Sequence, residues 1–461
     1  MTDFSFSTKA PVFRNRRGSA RGLGLGALGL VAMLAACAEP QVILPGERED
    51  IRSVLQNDVV YEGQAPAFEG NTSRAISLPA ARVNANWSQS TGSPSGRVSH
   101  PALGGSLTLA WAADIGEGDS RKHRITAAPV VSDGRVFTLD AQSVVTATST
   151  SGATLWRADL RPARDQAGDA TGGGLVVAGD TVYISIGFGV LAALDATSGA
   201  VRWSQQLDAS GSGTPTVSGD LVYVTAGDNT GWAVNRKDGT VEWQIGSSTD
   251  TNNVLGAPAP ALSSDLAIFA FGSGEVQAVF RLGGLSRWNA SILGKRGGRA
   301  LSNVSDVTAA PVISGDRVYV GNQSGRIAAL DVNSGDRVWT ARDGAIGPVW
   351  PVGGSVFAVS DLNELLRLDA SDGAKIWGVP LPNFTERKPK KQSRVTPHHG
   401  PIVAGGRVIL VSGDGLLRSF DPTNGTLVGT TEIPGGATTA PVVAGRTLYV
   451  VSADGQLLAY R

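Results

Sequence analysis

Residues that could do chemistry are few in this sequence, and they lie far apart along the chain. The four histidines include one adjacent pair, His398 and His399, whereas His100 and His123 stand alone. A zinc site needs three or four ligands, which usually follow one another at recognisable spacings. Because no third ligand accompanies the pair, the sequence favours two loop histidines over a metal site.

Motifs for nucleophilic, phosphoryl or hydride chemistry are also missing. There is no Gly-x-Ser-x-Gly elbow and no Walker loop, and the carboxylates fall mainly in turn positions. GLGALG (24–29) matches the letters of a dinucleotide fingerprint, but no strand, βαβ unit or downstream acid accompanies it. The sequence therefore predicts no catalytic residues and a protein that is not an enzyme.

The only cysteine, Cys37, follows a segment that is typical of export signals. RNRRGSAR (14–21) is basic, and GLGLGALGLVAMLAA (22–36) is an apolar run too short to cross a membrane. LAAC, Leu34–Cys37, resembles the lipobox at which a bacterial prolipoprotein is diacylated on cysteine and then cut before it. We predict that residues 1–36 are a signal peptide and that Cys37 carries the lipid. An ordinary signal peptide with a chance cysteine is the alternative.

A polar segment, residues 37–100, follows the predicted lipid anchor. It is rich in Ser, Asn, Pro and Gly and lacks a sustained apolar period, so we expect a flexible tether that runs along the surface of the next domain. Ala38 follows Cys37, and in the usual enterobacterial sorting rule a residue other than Asp permits transfer to the outer membrane. By analogy we expect a lipid-anchored outer-membrane protein that faces the periplasm.

The charge balance argues against a nucleic-acid partner. The chain of 461 residues has 40 basic and 40 acidic side chains. Residues 1–36 contain more basic than acidic residues, so their removal leaves a weakly acidic mature chain. Nucleic-acid binders are usually basic.

One phrase recurs along the chain with a constant internal spacing. ALDATSGAVRW (193–203) has close variants in which Gly stands four residues before Trp, and their period of about 45 residues is typical of repeat architectures. We expect each Trp to pack the outer strand of one unit against the next unit. A further copy, SFDPTNGTLVG, has Gly429 in place of the Trp. The Trp residues of the complete copies are Trp156, Trp203, Trp243, Trp288, Trp339 and Trp377.

Each unit reads as four short strands joined by tight turns, which is typical of a propeller blade. The last unit ends at Arg461 after three strands, while SLTLAWAADIG (106–116), which contains Trp111, is an isolated strand near the start. Pairing of these two segments would close the ring and remove its open edges. We therefore predict an all-β fold, an eight-bladed β-propeller of four-stranded antiparallel blades over residues 101–461.

The repeated line, Ala-x-Asp-x-x-x-Gly-x-x-x-Trp, resembles the tryptophan-docking repeat of pyrroloquinoline-quinone (PQQ) propellers. With the lipobox and eight blades, residues 37–461 are similar to the BamB family of lipoproteins in the outer-membrane β-barrel assembly (BAM) machinery. The resemblance implies a non-catalytic scaffold. Its implied partners are a periplasmic domain of the barrel-forming subunit BamA, other BAM subunits and nascent outer-membrane proteins.

A periplasmic PQQ-dependent dehydrogenase is one alternative, and a glycan-binding propeller is another. Quinone dehydrogenases resemble one another in a vicinal Cys pair over the cofactor, a calcium site and a catalytic carboxylate. This sequence has one cysteine, which the lipobox uses. The comparison of motifs therefore favours a scaffold without a cofactor.

Long insertions fall in the predicted connections between blades, and these connections share one face of a propeller. They are residues 161–170, 246–259, 294–307 and 382–399, and long loops on one rigid face are the expected place for a partner. Solvated loops of variable length are the alternative. The basic stretch 387–394 in the last insertion is a further candidate surface.

The resemblance to BamB implies that two of these insertions contact BamA. Val254 and Gly256 match the family's first phrase and Asp306 matches the first Asp of its second. Leu255 replaces an Arg and Thr308 replaces the second Asp, so the resemblance implies the apolar part of the contact more than its ion pair. The candidate partner-binding residues are Val254, Leu255, Gly256, Arg299 and Asp306.

Overall fold

The computed structural model describes residues 65–166, 168–209, 213–248, 257–293, 307–386 and 388–461. Within these residues, 32 β-strands form eight four-stranded antiparallel sheets, which are the blades of a ring. The prediction of an all-β, eight-bladed propeller is confirmed. No helix in the described ranges has both the length and the apolarity needed to cross a membrane.

Blades 1 to 7 each take four consecutive strands, ordered from the ring axis outward, and blade 8 combines β30–β32 with β1. The bounds in blades 1 to 4 are β2 Val130–Ser132, β3 Arg135–Leu139, β4 Val144–Ser149, β5 Thr154–Asp159, β6 Gly173–Ala178, β7 Thr181–Ile186, β8 Val190–Asp195, β9 Val201–Gln206, β10 Thr216–Ser218, β11 Leu221–Thr225, β12 Thr230–Asn235, β13 Val241–Gly246, β14 Ala261–Leu262, β15 Leu266–Ala270, β16 Glu275–Phe280 and β17 Ser286–Ser291. Those in blades 5 to 8 are β18 Val312–Ser314, β19 Arg317–Asn322, β20 Arg326–Asp331, β21 Arg337–Ala341, β22 Trp350–Val352, β23 Ser355–Val359, β24 Glu364–Asp369, β25 Lys375–Pro380, β26 His398–Ala404, β27 Arg407–Ser412, β28 Leu416–Phe420, β29 Leu427–Glu432, β30 Val442–Ala444, β31 Thr447–Val451, β32 Gln456–Tyr460 and β1 Leu109–Asp114. A short 3-10 helix, Pro389–Lys391, lies between β25 and β26.

Burial along the strands explains why their sequences differ within a blade. The second strands are apolar runs that are buried on both faces, as in β7, where all six residues of TVYISI are buried. The outer strands alternate between exposed and partly buried residues, as in VRWSQQ of β9. A strand with one packed face and one solvated face shows this alternation.

The repeated Trp residues join neighbouring blades. Each lies in an outer strand and donates its Nε1–H, over 3.0–3.2 Å, to a backbone carbonyl in the turn between the third and fourth strands of the next blade. Each indole also covers the Gly of that turn. The Trp residues and the Gly residues they cover are Trp111 and Gly152, Trp156 and Gly199, Trp203 and Gly239, Trp243 and Gly284, Trp288 and Gly335, Trp339 and Gly373, and Trp377 and Gly425.

The ring closes where the chain is split, and the predicted closure by the N-terminal strand is confirmed. β1 pairs with β32 from Leu109 and Tyr460 to Asp114 and Gln456. The third and fourth strands of blade 8, β32 and β1, are therefore not joined by a turn on which a Trp of blade 7 could dock. This explains why blade 7 has Gly429 at the Trp position of the repeat. The Tyr460 hydroxyl instead donates to the carbonyl of Glu432 in β29, over 2.9 Å.

Residues 65–105 are held against the ring by backbone hydrogen bonds. Ala65 N donates to Thr340 O in β21 at 2.8 Å, and Thr72 N donates to Ile376 O in β25 at 2.9 Å. Further along, Trp87 exchanges two backbone hydrogen bonds of 2.8 Å with Val131 in β2. For residues 65–100 the structure therefore differs from the predicted flexible tether.

The stretch 84–105, here called the plug, makes one circuit inside the ring. In chain order it forms hydrogen bonds at the inner strands of blades 8, 1, 2, 3, 4, 5, 6 and 7, through Asn84, Trp87, Ser88, Gln89, Pro94, Ser95, Arg97 and Pro101. Several inner strands have only two or three residues, so the plug pairs with backbone groups that their blades leave free. A segment held by its backbone needs no apolar period, which is why composition indicated a tether.

Candidate functional site

A long crossover, residues 115–129, leads from β1 to β2, and four further long crossovers likewise link the outer strand of one blade to the inner strand of the next. They span residues 160–172, 247–260, 292–311 and 381–397, between strands whose bounds are given above. Because successive strands in a blade are antiparallel, every crossover starts and ends on one face of the ring. We call this the crossover face, and it is the face on which the sequence predicted a partner.

The predicted partner-binding residues fall outside the described residues. Val254, Leu255 and Gly256 belong to residues 249–256, and Arg299 and Asp306 belong to residues 294–306. The same is true of the predicted lipidation site at Cys37. The roles of these residues stay predictions.

The described ends of these two crossovers lie close to the ring axis. Ala257 O accepts a hydrogen bond from Thr214 N at 3.2 Å, and the fully buried Val307 donates its N–H to Phe271 O at 3.4 Å. Ala257–Ala259 and Thr308 also line the central cavity of the propeller. Both crossovers therefore join their inner strands at the rim of this cavity.

The crossover between β25 and β26 presents a basic surface. Lys388, Lys390, Lys391 and Arg394 are exposed. The loop is fastened at its base, where Thr385 N donates to Arg394 O at 3.1 Å. Among its described residues Glu386 is the only acidic side chain between residues 383 and 397. Such a surface suits an acidic partner segment.

His398 and His399 open the inner strand β26 and do not lie in a loop as predicted. His398 Nδ1 lies 2.7 Å from Ser412 Oγ, and its Nε2 lies 2.7 Å from Pro382 O. Burial lowers the pKa of both rings, that of His399 to about 4, so His399 is neutral at pH 7. In the part of the chain that the structure describes, no three His, Cys, Asp or Glu side chains gather as metal ligands.

The central cavity has a volume of about 200 Å³. Its walls are mainly the residues just before the inner strands, which contribute mostly Ala, Gly and Thr, together with His398 and His399 of β26. Ser90 and Arg97 of the plug close its other end. Its described lining contains no carboxylate and no thiol, so it does not provide the calcium ligands or the Cys pair that the quinone alternative requires.

Sequence reasoning missed the residues that build this cavity. Arg97 and Ser90 lie in a segment without the Trp-docking repeat, and the repeat was the signal that located all other elements. The one available sign was Trp87, a large apolar residue in an otherwise polar segment, which is 1% exposed in the structure.

Most of the chain is similar in sequence to one family of known proteins. The matching family model is described as outer membrane protein assembly factor BamB, and it covers residues 140–379 and 384–461. The BamB of Shewanella oneidensis is 26% identical over 361 residues, which are 76% of this chain and 87% of the relative. The BamB of Escherichia coli K12 is 28% identical over 355 residues, with coverage of 76% and 87%.

Solved structures share the fold. The crystal structure of BamB from Moraxella catarrhalis matches with a TM-score of 0.64 at 19% identity, over 77% of this chain and 100% of that one. A quinohemoprotein alcohol dehydrogenase from Pseudomonas putida HK5 matches with a TM-score of 0.60 at 15% identity, over 82% and 80%. These two likenesses show the propeller alone, whereas the family match extends through strands of all eight blades. The chain belongs to the BamB family of outer-membrane protein assembly factors.

Proposed function

We propose that this chain is a non-catalytic scaffold of the BAM complex, which binds BamA and assists the folding and insertion of outer-membrane proteins. Membership of the BamB family carries the proposal, because the relatives bear the name of an outer-membrane protein assembly factor. A lipid on Cys37 would hold the ring at the outer membrane, facing the periplasm. Stable anchoring needs more than one acyl chain, which a lipoprotein cysteine provides.

The crossover face is the proposed contact for BamA. Its two candidate crossovers each end on a rigid inner strand beside the cavity, so a partner bound near these ends would meet preformed strands. Val254 and Leu255 supply the apolar anchors, since a few central apolar residues carry most of the energy of an interface. The exposed basic loop at residues 388–394 adds a complementary site for acidic segments.

The outer edges of the blades are the proposed contact for nascent outer-membrane strands. The chain itself supports this, because Ala65 and Thr72 donate backbone hydrogen bonds to the outer strands β21 and β25. An extended segment therefore adds to a blade edge in this protein, as in β-strand addition by peptides. The outer strands of the other blades accept a client in the same way.

Quinone-dependent dehydrogenation is the weaker alternative. The structural likeness to the alcohol dehydrogenase is 15% identical in sequence and shows the fold alone. The described cavity lining lacks the acidic and thiol groups that this chemistry needs. No described feature favours glycan binding.

The BamA contact can be tested by co-purification from membranes. Replacing Val254 and Leu255 together with Asp should abolish recovery of BamA, because two anchors become charged and resist desolvation. Leu282 and Leu285 provide a matched control, since they are 92% and 71% exposed in a turn on the opposite face. Their replacement with Asp should leave BamA recovery unchanged.

Folding of both variants is checked by circular dichroism and thermal melting. Full recovery of BamA by the folded Val254 and Leu255 variant would contradict the proposed contact. The basic loop at residues 388–394 would then be the next surface to substitute.

A further inference from the structure

Arg97 is the one side chain that carries a charge from the plug into the central cavity. Its Nε donates to Val349 O at 3.0 Å, and its Nη2 donates to Pro348 O. The guanidinium carbon lies 4.9 Å from the centre of the Trp350 ring, which adds a cation–π contact. Blade 6 thus holds the guanidinium in one orientation.

The charge of Arg97 has no partner among the described residues. It forms no ion pair in the structure, and the described cavity lining contains no Asp or Glu. Burial lowers the pKa of Arg97 to about 9, so the guanidinium is still cationic at neutral pH. Arg97 is half-buried, and an anion bound beside it would offset the cost of removing its charge from water.

Polar groups of Arg97 and His399 at the cavity also lack hydrogen-bond partners among the described residues. A guanidinium has five N–H groups, and protein carbonyls accept two of those of Arg97, which leaves three free. His399 lines the same cavity, and its buried Nε2 has no hydrogen-bond partner. The remaining walls are mostly the small side chains of Ala, Gly and Thr.

We propose that the central cavity is a binding site for a carboxylate, in which Arg97 binds both carboxylate oxygens and His399 donates a further hydrogen bond. The planar fork of arginine matches a carboxylate in this way. One guanidinium beside a neutral histidine balances one negative charge, which favours a carboxylate over a phosphate carrying almost two.

The size and position of the cavity define the ligand further. A volume of about 200 Å³ lies below the range of about 300–1,000 Å³ for sites that take drug-sized molecules. A small organic acid fits this space, and so does the last residue of a peptide with a free C-terminus. This proposal does not rest on the proposed BamA contact, although the described ends of both candidate crossovers line the cavity.

Isothermal titration of the full chain in detergent tests the proposal. The probes are propionate, tri-alanine with a free C-terminus, tri-alanine amide and inorganic phosphate. We expect binding of propionate and of the free-acid peptide, and none of the amide. A free-acid peptide that binds at least tenfold more tightly than propionate identifies a peptide C-terminus as the ligand, and the reverse order identifies a small acid.

Substitutions then assign the site. Arg97→Gln should weaken binding of the tighter acid at least tenfold, and Arg97→Lys should also weaken it tenfold because an ammonium group lacks the bidentate fork. Because Arg97→Lys retains the positive charge, it tests the same site if Arg97→Gln does not fold. Arg164→Gln removes an exposed arginine from the crossover face and should leave binding unchanged.

Three results would overturn the proposal. They are an absence of heat with both acids, binding of phosphate as tight as that of either acid, and unchanged affinity in a folded Arg97 variant.

Discussion

At the scale of single residues, the ring depends on pairs of Trp and Gly in neighbouring blades. Each Trp donates one hydrogen bond to the next blade and covers a Gly with a positive φ. The Asp that ends a third strand supports the same turn, as Asp331 does by accepting N–H groups of Asn333 and Ser334 at 2.8 and 2.9 Å. The repeated residues are therefore parts of blade interfaces and not of a catalytic site.

Gly373 should be far less tolerant of Ala than Gly315 is. Both have positive φ, 75° and 64°, so both substitutions strain the backbone by about 1–2 kcal/mol. A Cβ on Gly373 would lie 2.5 Å from Trp339 Cε3, whereas a Cβ on Gly315 would meet nothing within 4 Å. Forcing atoms into a packed site costs about 1–3 kcal/mol more.

Urea unfolding of the two variants measures the difference. We expect Gly373→Ala to lower the free energy of unfolding by about 2–5 kcal/mol and Gly315→Ala by about 1–2 kcal/mol. Equal losses would show that the indole does not press on the turn.

His399 should make stability fall between about pH 6.5 and pH 4. Burial lowers its pKa from 6.5 to about 4, so in this range the unfolded chain binds more protons than the folded one. The free energy of unfolding therefore decreases as pH falls, by up to about 3 kcal/mol at 1.36 kcal/mol per pKa unit. Above pH 6.5 the contribution of this residue is constant.

The pH dependence can be assigned with two variants. His399→Gln should flatten the slope of unfolding free energy against pH, leaving the part due to His398, whose pKa burial also lowers. The double variant His398→Gln and His399→Gln should remove the slope due to both rings. An unchanged slope in His399→Gln would place the titrating group elsewhere.

At the scale of elements, the sequence predicted strand number, strand order and the closing strand because repeated phrases mark each blade. The plug and the cavity it closes could not be predicted in this way. Arg97 and Gln89 interact with backbone carbonyls of blades 6 and 3, and such contacts leave no periodicity in a sequence. The histidine pair was assigned to a loop because β26 begins at His398, three residues before its apolar run begins at Pro401.

Each N-terminal element should contribute to the stability of the ring according to the large side chains that it buries. A chain starting at residue 84 keeps the plug and β1, and it should melt close to the parent. A chain starting at residue 106 loses Trp87, and one starting at residue 120 loses β1 and Trp111 as well. Loss of one buried Trp costs about 3–5 kcal/mol, so the midpoint should fall in two steps.

Thermal melting of the three chains measures these steps. A chain starting at residue 120 that melts within a few degrees of the parent would contradict the closure by β1. A chain starting at residue 106 that matches the parent would contradict a stabilising role for the plug.

At the scale of the whole molecule, the two faces of the ring differ in what they offer. One face carries the short turns and is closed at its centre by the plug. The crossover face carries the long connections, the basic loop and the rim of the cavity. Repeat spacing predicted this division, because it placed every long insertion between blades. The position of the Arg97 guanidinium at the cavity depends on how the plug packs against the inner strands, and no local sequence pattern predicts this packing.

The split blade has a consequence for biogenesis. In a chain that is synthesised and exported from its N-terminus, β1 emerges before every other strand, while its partner β32 emerges at residues 456–460. Pairing over such a separation in sequence is slow compared with the formation of the local hairpins within blades. We therefore expect closure to be the last folding step, and a chain terminated before residue 456 to retain two open strand edges. Such edges pair readily with other strands, so an unfinished chain should differ from a finished one in its tendency to associate through them.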